Sequence, residues 1–384
     1  MIRRAVLYVP APDDAQAALL DVAARPVAFR ILVAAIRAGI EHIDVPDAWR
    51  GTALERAIAA SPSATRAVRW LKDGAPPVER VLWLPATLTV PASALARLAA
   101  APFVAALGEP DGDPAPVVAA DLALTASLWG ELLTGAPLGD ALARALKARG
   151  ILGPSMAGVV RVRGAADAAQ AEAVLYSGLG SAIDSPLDTA FHRRLSKPVS
   201  RRAVALGVSP NQISTASLLL GLAGAWCIAG GTPAGAVAGL ALYAASVVLD
   251  HADGEVARLA LAESRIGEWL DVTVDTVVHA AVVLAMGVAT QATQGGPATL
   301  VGGVAALGIV MSAMTAKISP PAAGNSVGRL LQGLGTRDGF YGMLLLFITV
   351  LGLQPTALPE LMIVVALGAH AYWLSRLAYR LISR

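Results

Sequence analysis

Long apolar runs separated by short polar breaks fill the second half of the chain, at about 212–230, 234–250, 269–290, 297–316, 339–354 and 359–378. A helix crosses the hydrocarbon core with about 20 mostly apolar residues, within a range of about 17–25. The pattern therefore predicts six spans, the fifth being short and open to extension at either end. Connections 231–233, 291–296 and 355–358 hold no Lys or Arg. The opposite set is basic, from Arg193, Arg194 and Lys197 through Arg258 and Arg265 to Lys317, Arg329, Arg337 and Arg384. This asymmetry predicts that the basic set, and with it both ends of the chain, is cytoplasmic.

The first half alternates differently. RAVLYV and EHIDV are short β-rich runs, whereas PVAFRILVAAIRAG between them has helical spacing. ALERAIAA, TRAVRWL, ERVLWLPATLTV and SALARLAAA continue the alternation, segment 107–117 is a loop, and ADLALTASLWGELLTG and LGDALARALKARG read as helices. Such an order predicts an α/β layered domain with a mainly parallel sheet.

Composition sharpens the division. Of 384 residues, 55% are hydrophobic and 15% charged, with a mean hydropathy of +0.61. Soluble domains carry about 25% charged residues, and the deficit lies beyond Arg202. The expected class is thus an α/β N-terminal domain joined to an all-α membrane domain, in the bilayer of the cell (inner) membrane. A net charge of +2 gives no nucleic-acid signature, and no nucleic-acid partner is expected. The one cysteine, Cys227, excludes an internal disulfide. MIRRAVLYVPAPDD has too short an apolar stretch for a secretory signal, so the N-terminus is expected to stay in the cytoplasm.

Between the halves, AFHRRLSKPVSRRAVALG predicts an amphipathic helix with one basic face, broken near Pro198. A positive-inside anchor and a helix lying against the headgroups both fit it. Ser209, Pro210 and Asn211 then supply a turn and cap before the first span. The expected boundaries are 1–180 for the α/β domain, 181–210 for the linker helix and 211–384 for the six-helix domain.

The chemistry concentrates in LDHADGEVARLALAESRIGEWLDVTVDTVV, residues 249–278. Asp250 and Asp253 are i and i+3, and Asp271 and Asp275 are i and i+4, so each pair shares a helix face. Four carboxylates converging at a membrane edge repel and are costly to desolvate. Divalent cations relieve both costs, and hard oxygen donors suit Mg²⁺ or Mn²⁺. Metals among carboxylates are also what a diphosphate substrate needs. Gly254 and Gly267 permit close approach, and Arg258 can pair with a phosphate or carboxylate. The full pattern, D-x-x-D-G-x-x-A-R-x8-G-x-x-x-D-x-x-x-D, fixes eight positions including Ala257. At roughly 5–10% usage per residue type, a chance match is negligible.

This stretch resembles the signature of the CDP-alcohol phosphotransferase (CDP-alcohol phosphatidyltransferase) family, with every fixed position present, and the likeness extends over roughly 180–384. The resemblance implies a six-helix membrane enzyme of phospholipid or inositol-phosphate biosynthesis, often a homodimer. It would use two divalent ions, Mg²⁺ or Mn²⁺, and pass a substituted phosphate from a CDP-alcohol to an acceptor alcohol or alcohol phosphate, releasing CMP. Asp250, Asp253 and Asp271 would hold metal, and Asp275, near the same ions, would be the base for the acceptor hydroxyl. Asp253, Gly254, Ala257, Arg258 and Gly267 would line the nucleotide site. Arg337-Asp338 is similar to a pair in members that take sugar- or inositol-phosphate substrates. Arg337, Lys317 and Arg329 are therefore candidates for an acceptor phosphate, although positive-inside bias also explains them.

AEAVLYSGLGSAIDSPLDTAFHRRLSKPVS looks like the junction in bifunctional inositol-phosphate cytidylyltransferase/di-inositol-phosphate phosphate synthases, and the N-terminal layout is similar to a nucleotidyltransferase domain. Where such a domain carries a glycine-rich phosphate loop, this chain has PAPDDAQA, with no glycine and no lysine. The expected state is degenerate. Two alternatives stay open: a bifunctional enzyme with a working cytidylyltransferase, and a transporter whose carboxylates carry protons or cations.

Overall fold

The computed structural model describes residues 1–107, 116–151, 158–180, 185–260, 262–263, 265–318 and 336–382. The chain folds as two compact units, Met1–Leu179 and Gly180–Arg384.

The first unit opens with β1 (Arg4–Tyr8), α1 (Asp14–Ala17), a hairpin of β2 (Asp21–Val22) and β3 (Arg25–Pro26), α2 (Val27–Arg37) and β4 (His42–Pro46). It continues with α3 (Ala53–Ala59), α4 (Pro62–Ala67), β5 (Val68–Leu71), β6 (Val81–Pro85), β7 (Leu88–Thr89) and α5 (Ala92–Ala100). It ends with β8 (Ala105–Leu107), β9 (Val117–Ala120), α6 (Leu122–Leu133), α7 (Gly139–Ala148), β10 (Val160–Arg161) and α8 (Ala165–Ser177). The main sheet has the order β5-β4-β1-β6-β9-β8. Strands β1 and β6 lie at its centre with apolar side chains buried on both faces, as central parallel strands require. Tyr8, Trp83 and Val118 lead one core cluster beneath α6 and α7.

The sheet is mixed, which corrects the mainly parallel expectation at one edge. β5, β4, β1 and β6 are parallel, but β9 is antiparallel to both β6 and β8. Only residues 108–116 separate β8 from β9, too few for the dozen or so that a parallel crossover needs. Of the expected loop 107–117, residues 108–115 lie outside those described, and both flanks are strand.

The β2–β3 hairpin turns through Ala23 and Ala24 at φ of 51° and 57°, a left-handed pair of the kind Asn-Gly usually supplies. Buried Arg30 steadies it, donating to the Val22 and Ala23 carbonyls at 2.9 and 2.6 Å, while Glu172 accepts from the Ala23 amide.

The second unit is helical. A π-helical turn at Asp188–His192 leads into α9 (Arg193–Ala205), followed by α10 (Pro210–Ala229), α11 (Pro233–Ala260) and α12 (Arg265–Gln294). Then come α13 (Ala298–Ile318), α14 (Arg337–Leu353) and α15 (Leu358–Ile382). Contrary to expectation, α9 runs through Pro198 without a break. Proline removes the bond to the Arg194 carbonyl, but Arg193, Ser196 and Ser200 are buried on one side and bonded elsewhere, which holds the helix together. Ser209 caps α10 as predicted, in a reciprocal capping box with Gln212 and with Pro210 in the first turn.

Among the described residues, five helices are long and apolar enough to cross a membrane: Pro210–Ala229, Pro233–Ala260, Ile266–Gln294, Ala298–Thr315 and Pro355–Ala378. α14, at 17 residues with Arg337-Asp338 at its start, is not among them. Helices α10 and α11 meet through glycine: a Cβ on Gly239 would come within 2.6 Å of the Gly224 carbonyl. Small residues let membrane helices approach this closely. Tyr243, Val278, Val282, Met286 and Phe347 form the buried centre of the unit.

Candidate active site

α11 does not stop where its apolar run stops. It continues for ten residues beyond Asp250, so that Asp250 and Asp253 emerge on one face of a single 28-residue helix. α12 presents Asp271 and Asp275 from its second and third turns. A carboxylate oxygen from each of Asp250, Asp253 and Asp271 lies within 4.8 Å of the other two. Asp253 is buried and accepts a short hydrogen bond from Ser214 of α10. The Asp250 side chain is 9% exposed, whereas Asp271 is open to solvent. Three hard oxygen donors, with one side of the group accessible, fit Mg²⁺ or Mn²⁺.

Asp275 stands beside this trio and is not part of it. Its side chain is 41% exposed, and Oδ1 accepts from Arg337 at 3.4 Å. The other main partner of that guanidinium is Asp250, so Arg337 bridges the two helices' acids. His279, one turn along α12, donates from Nδ1 to the Asp275 carbonyl at 2.7 Å, leaving Nε2 to accept from the Tyr243 hydroxyl at 2.9 Å. It is a paired histidine.

The remaining motif positions are near. A Cβ on Gly254 would meet the Arg258 guanidinium at 3.4 Å, so the glycine leaves room for that arginine to fold back along α11. Ala257 is half-buried on the same helix and Gly267 lies in the first turn of α12. Of the acceptor candidates, Arg337 is brought into the carboxylate group. Lys317 falls in the last turn of α13, and Arg329 lies outside the described residues.

A second polar cluster adjoins the first and was not foreseen from the sequence. Asp188 Oδ1 accepts from His192 Nδ1 at 3.0 Å and from His251 Nε2 at 2.8 Å, and Oδ2 accepts from the Ser185 amide at 3.0 Å. Burial alone would raise the Asp188 carboxyl, but the bonds from His192, His251 and Ser185, with the Arg337 charge, hold it far below the usual carboxylate range. His192 Nε2 in turn accepts from the Tyr341 hydroxyl at 2.9 Å. Nearby, Glu255 is fully buried and accepts from Arg193 at 2.9 Å, Ser196 at 2.8 Å and Ser200 at 2.6 Å. The only sequence signal for this cluster is spacing: Asp188 and His192 at i and i+4, then Arg193, Ser196 and Ser200 along one face.

Residues 207–374 match the family model described as CDP-alcohol phosphatidyltransferase. A CDP-diacylglycerol–serine O-phosphatidyltransferase from Mycobacterium leprae (strain TN) is 42% identical over 82 residues, covering 21% of this chain and 26% of that protein. The chain thus spans about a quarter of that relative's length. The crystal structure of phosphatidylinositol phosphate synthase from Mycobacterium tuberculosis in apo form shares 22% identity. That match covers 47% of this chain and 93% of the other, at a TM-score of 0.34. The region matched by the CDP-alcohol phosphatidyltransferase model holds the four aspartates and Arg337.

Proposed function

We propose that the chain is an integral membrane CDP-alcohol phosphotransferase, passing a substituted phosphate from a CDP-alcohol to an acceptor alcohol. The observation that carries this reading is the convergence of Asp250, Asp253 and Asp271, with Asp275 and Arg337 alongside, inside the segment that matches the family. When bound by these carboxylates, divalent ions supply charge neutralisation and polarisation of the diphosphate.

The chain's own groups do the rest. Asp275, outside the trio and partly open, takes the proton of the acceptor hydroxyl. The oxygen attacks the β-phosphorus, the bond from that phosphorus to the bridging oxygen breaks, and CMP departs with that oxygen. Gly254, Ala257, Arg258 and Gly267, with Asp253, line the nucleotide site, and Arg337, with Lys317 and Arg329, faces an acceptor phosphate. Holding both reactants at one edge of the bundle supplies the proximity term. In this reading α14 is the sixth span, the active site and both termini are cytoplasmic, and two copies form a homodimer. Clustering of the acids at one end of α11 and α12 favours the transferase over a transporter, whose acids mark a path through the midplane.

For residues 1–180 we infer a degenerate nucleotidyltransferase-like domain, with 181–210 as the linker and 211–384 as the transmembrane domain. Asp14, in the stretch that replaces a phosphate loop, is engaged by Arg161 at 2.6 Å and the Ala11 amide at 3.0 Å. The adjoining cavity of about 300 Å³ is lined mainly by apolar side chains, among them Tyr8, Leu19, Trp49 and Leu132. Neither observation favours a triphosphate.

The test is turnover by purified full-length protein with CDP-diacylglycerol, CDP-inositol and CDP-glycerol, each beside a panel of acceptors, with products weighed by mass spectrometry. CMP release that needs Mg²⁺ or Mn²⁺ and stops with EDTA is expected. No CMP from any donor, or full turnover in chelator, sinks the reading. Pyrophosphate release from CTP with an alcohol phosphate would overturn the degenerate assignment alone.

A further inference from the structure

Arg337 stands between two sets of anions and is committed to one. Its Nη2 donates to Asp250 and, more distantly, to Asp275. Its Nη1 lies 4.0 Å from Asp188 Oδ1 and 3.1 Å from His251 Nε2. Because that imidazole nitrogen already gives its proton to Asp188, it has no lone pair for the guanidinium. Nη1 therefore faces Asp188 without yet bonding to it.

Asp188, His192 and His251 also bring one ligand atom each within 4.8 Å of the others, a geometry that a transition metal can occupy. Two facts argue against that use. Both imidazole nitrogens already donate to Asp188, and a dication there would sit against the guanidinium 3.1 Å from one of its ligands. The cluster is better described as an anion held ready for a cation that is already present.

We propose that Asp188 is a positioning residue, the second seat of Arg337, drawing the guanidinium off Asp250 and Asp275 when a divalent ion takes those carboxylates. The inference rests on the metal reading given under Proposed function. A divalent ion and a guanidinium on the same Asp250 oxygens repel strongly in a partly buried site. Relief requires a shift of only about 1 Å, since an N–H···O bond forms at about 2.9 Å. Asp188 is fixed from three sides, so accepting Arg337 costs it little reorganisation. The helix carrying Arg337 is fixed as well: Asp338 accepts from Ser185 at 2.6 Å, and Tyr341 donates to His192. Only the arginine side chain has to move. Placed on Asp188, it leaves the carboxylates to the metal and stays beside the space where an acceptor's charged group would lie.

The test reads Mn²⁺ affinity directly, from the free Mn²⁺ signal in electron paramagnetic resonance, on full-length protein in detergent without nucleotide. Arg337→Gln removes the competing cation and should tighten Mn²⁺ about tenfold, within the range of ordinary coupling energies. Asp188→Asn removes the second seat and should weaken it by a similar factor. In the Arg337→Gln background, Asp188→Asn should change nothing. A purely structural Asp188 would weaken Mn²⁺ equally in both backgrounds, which would overturn the proposal. So would equal affinities for wild type and Arg337→Gln. Should Asp188→Asn not fold, Arg337→Lys decides: its single ammonium cannot use both seats, so Mn²⁺ should bind less tightly than to wild type, and unchanged affinity refutes the idea. Absence of Mn²⁺ binding by the wild type removes the metal reading itself, and this inference with it.

Discussion

Arg193 and Glu255 form an ion pair at 2.9 Å whose side chains are 9% and 0% exposed, fastening α9 to the helix that carries the carboxylate motif. Breaking a buried pair by removing one partner strands a charge and costs about 3–5 kcal/mol. Arg193→Ala should therefore lower the thermal transition of the detergent-solubilised protein sharply. Ser200→Ala, which removes one neutral donor from a carboxylate that keeps two others, should cost about 1–2 kcal/mol. Equal, small effects from both would show that α9 is held by something else.

Asp275 and Asp253 should fail differently. Asn at 275 keeps the size but takes no proton, so turnover should fall by about 10²–10⁴-fold while nucleotide binding survives. Asp253→Asn removes charge from the carboxylate trio and, on the proposed roles, should weaken metal and CDP-alcohol binding together, with partial rescue by excess Mn²⁺. Nucleotide affinity and single-turnover rate, measured at several metal concentrations, separate the two. Loss of nucleotide binding in Asp275→Asn as severe as in Asp253→Asn would make Asp275 a ligand first.

Orientation is checked by reporters. One fused after Arg384 should be cytoplasmic, and one placed in GGTPAG (230–235) external, as the charge asymmetry requires. Both on the same side would refute six spans.

The Ala23-Ala24 turn should improve on replacement. A left-handed L-residue costs roughly 1–2 kcal/mol, and glycine's extra unfolded-state entropy returns about 0.5–1 kcal/mol of any gain. Ala24→Gly should thus raise the stability of the N-terminal unit by about 0.5–1 kcal/mol in the full chain, and Ala24→Val should lower it. A lower unfolding temperature for the glycine variant would contradict the strain account.

Local features were legible in the sequence, and those resting on distant partners were not. The Ser209 cap, the strands at Arg4–Tyr8 and His42–Pro46 and the pairing of Asp250 with Asp253 all follow from spacing within a few residues. The end of α11 did not. The apolar run stops at Asp250, but Asp253 finds Ser214 and Glu255 finds Arg193, Ser196 and Ser200, so the helix carries its charges on to Ala260. Pro198 misled for a related reason, since the bonds that hold α9 are made to another helix. The second cluster joins Ser185 to Asp338 and His192 to Tyr341. No periodicity encodes contacts across roughly 150 residues.

The length of α11 also bears on kinetics. Its 28 residues span about 42 Å at 1.5 Å each, about 12 Å more than a typical hydrocarbon core. In the reading proposed above, the surplus carries the carboxylates to the depth of the lipid phosphates. A donor anchored by acyl chains already holds its diphosphate at that level and meets the site by lateral diffusion. For such a donor the governing variable is its mole fraction in the surface and not its bulk molarity. Diluting the donor with inert detergent at constant total concentration should then slow turnover, whereas a water-soluble acceptor should follow ordinary three-dimensional saturation.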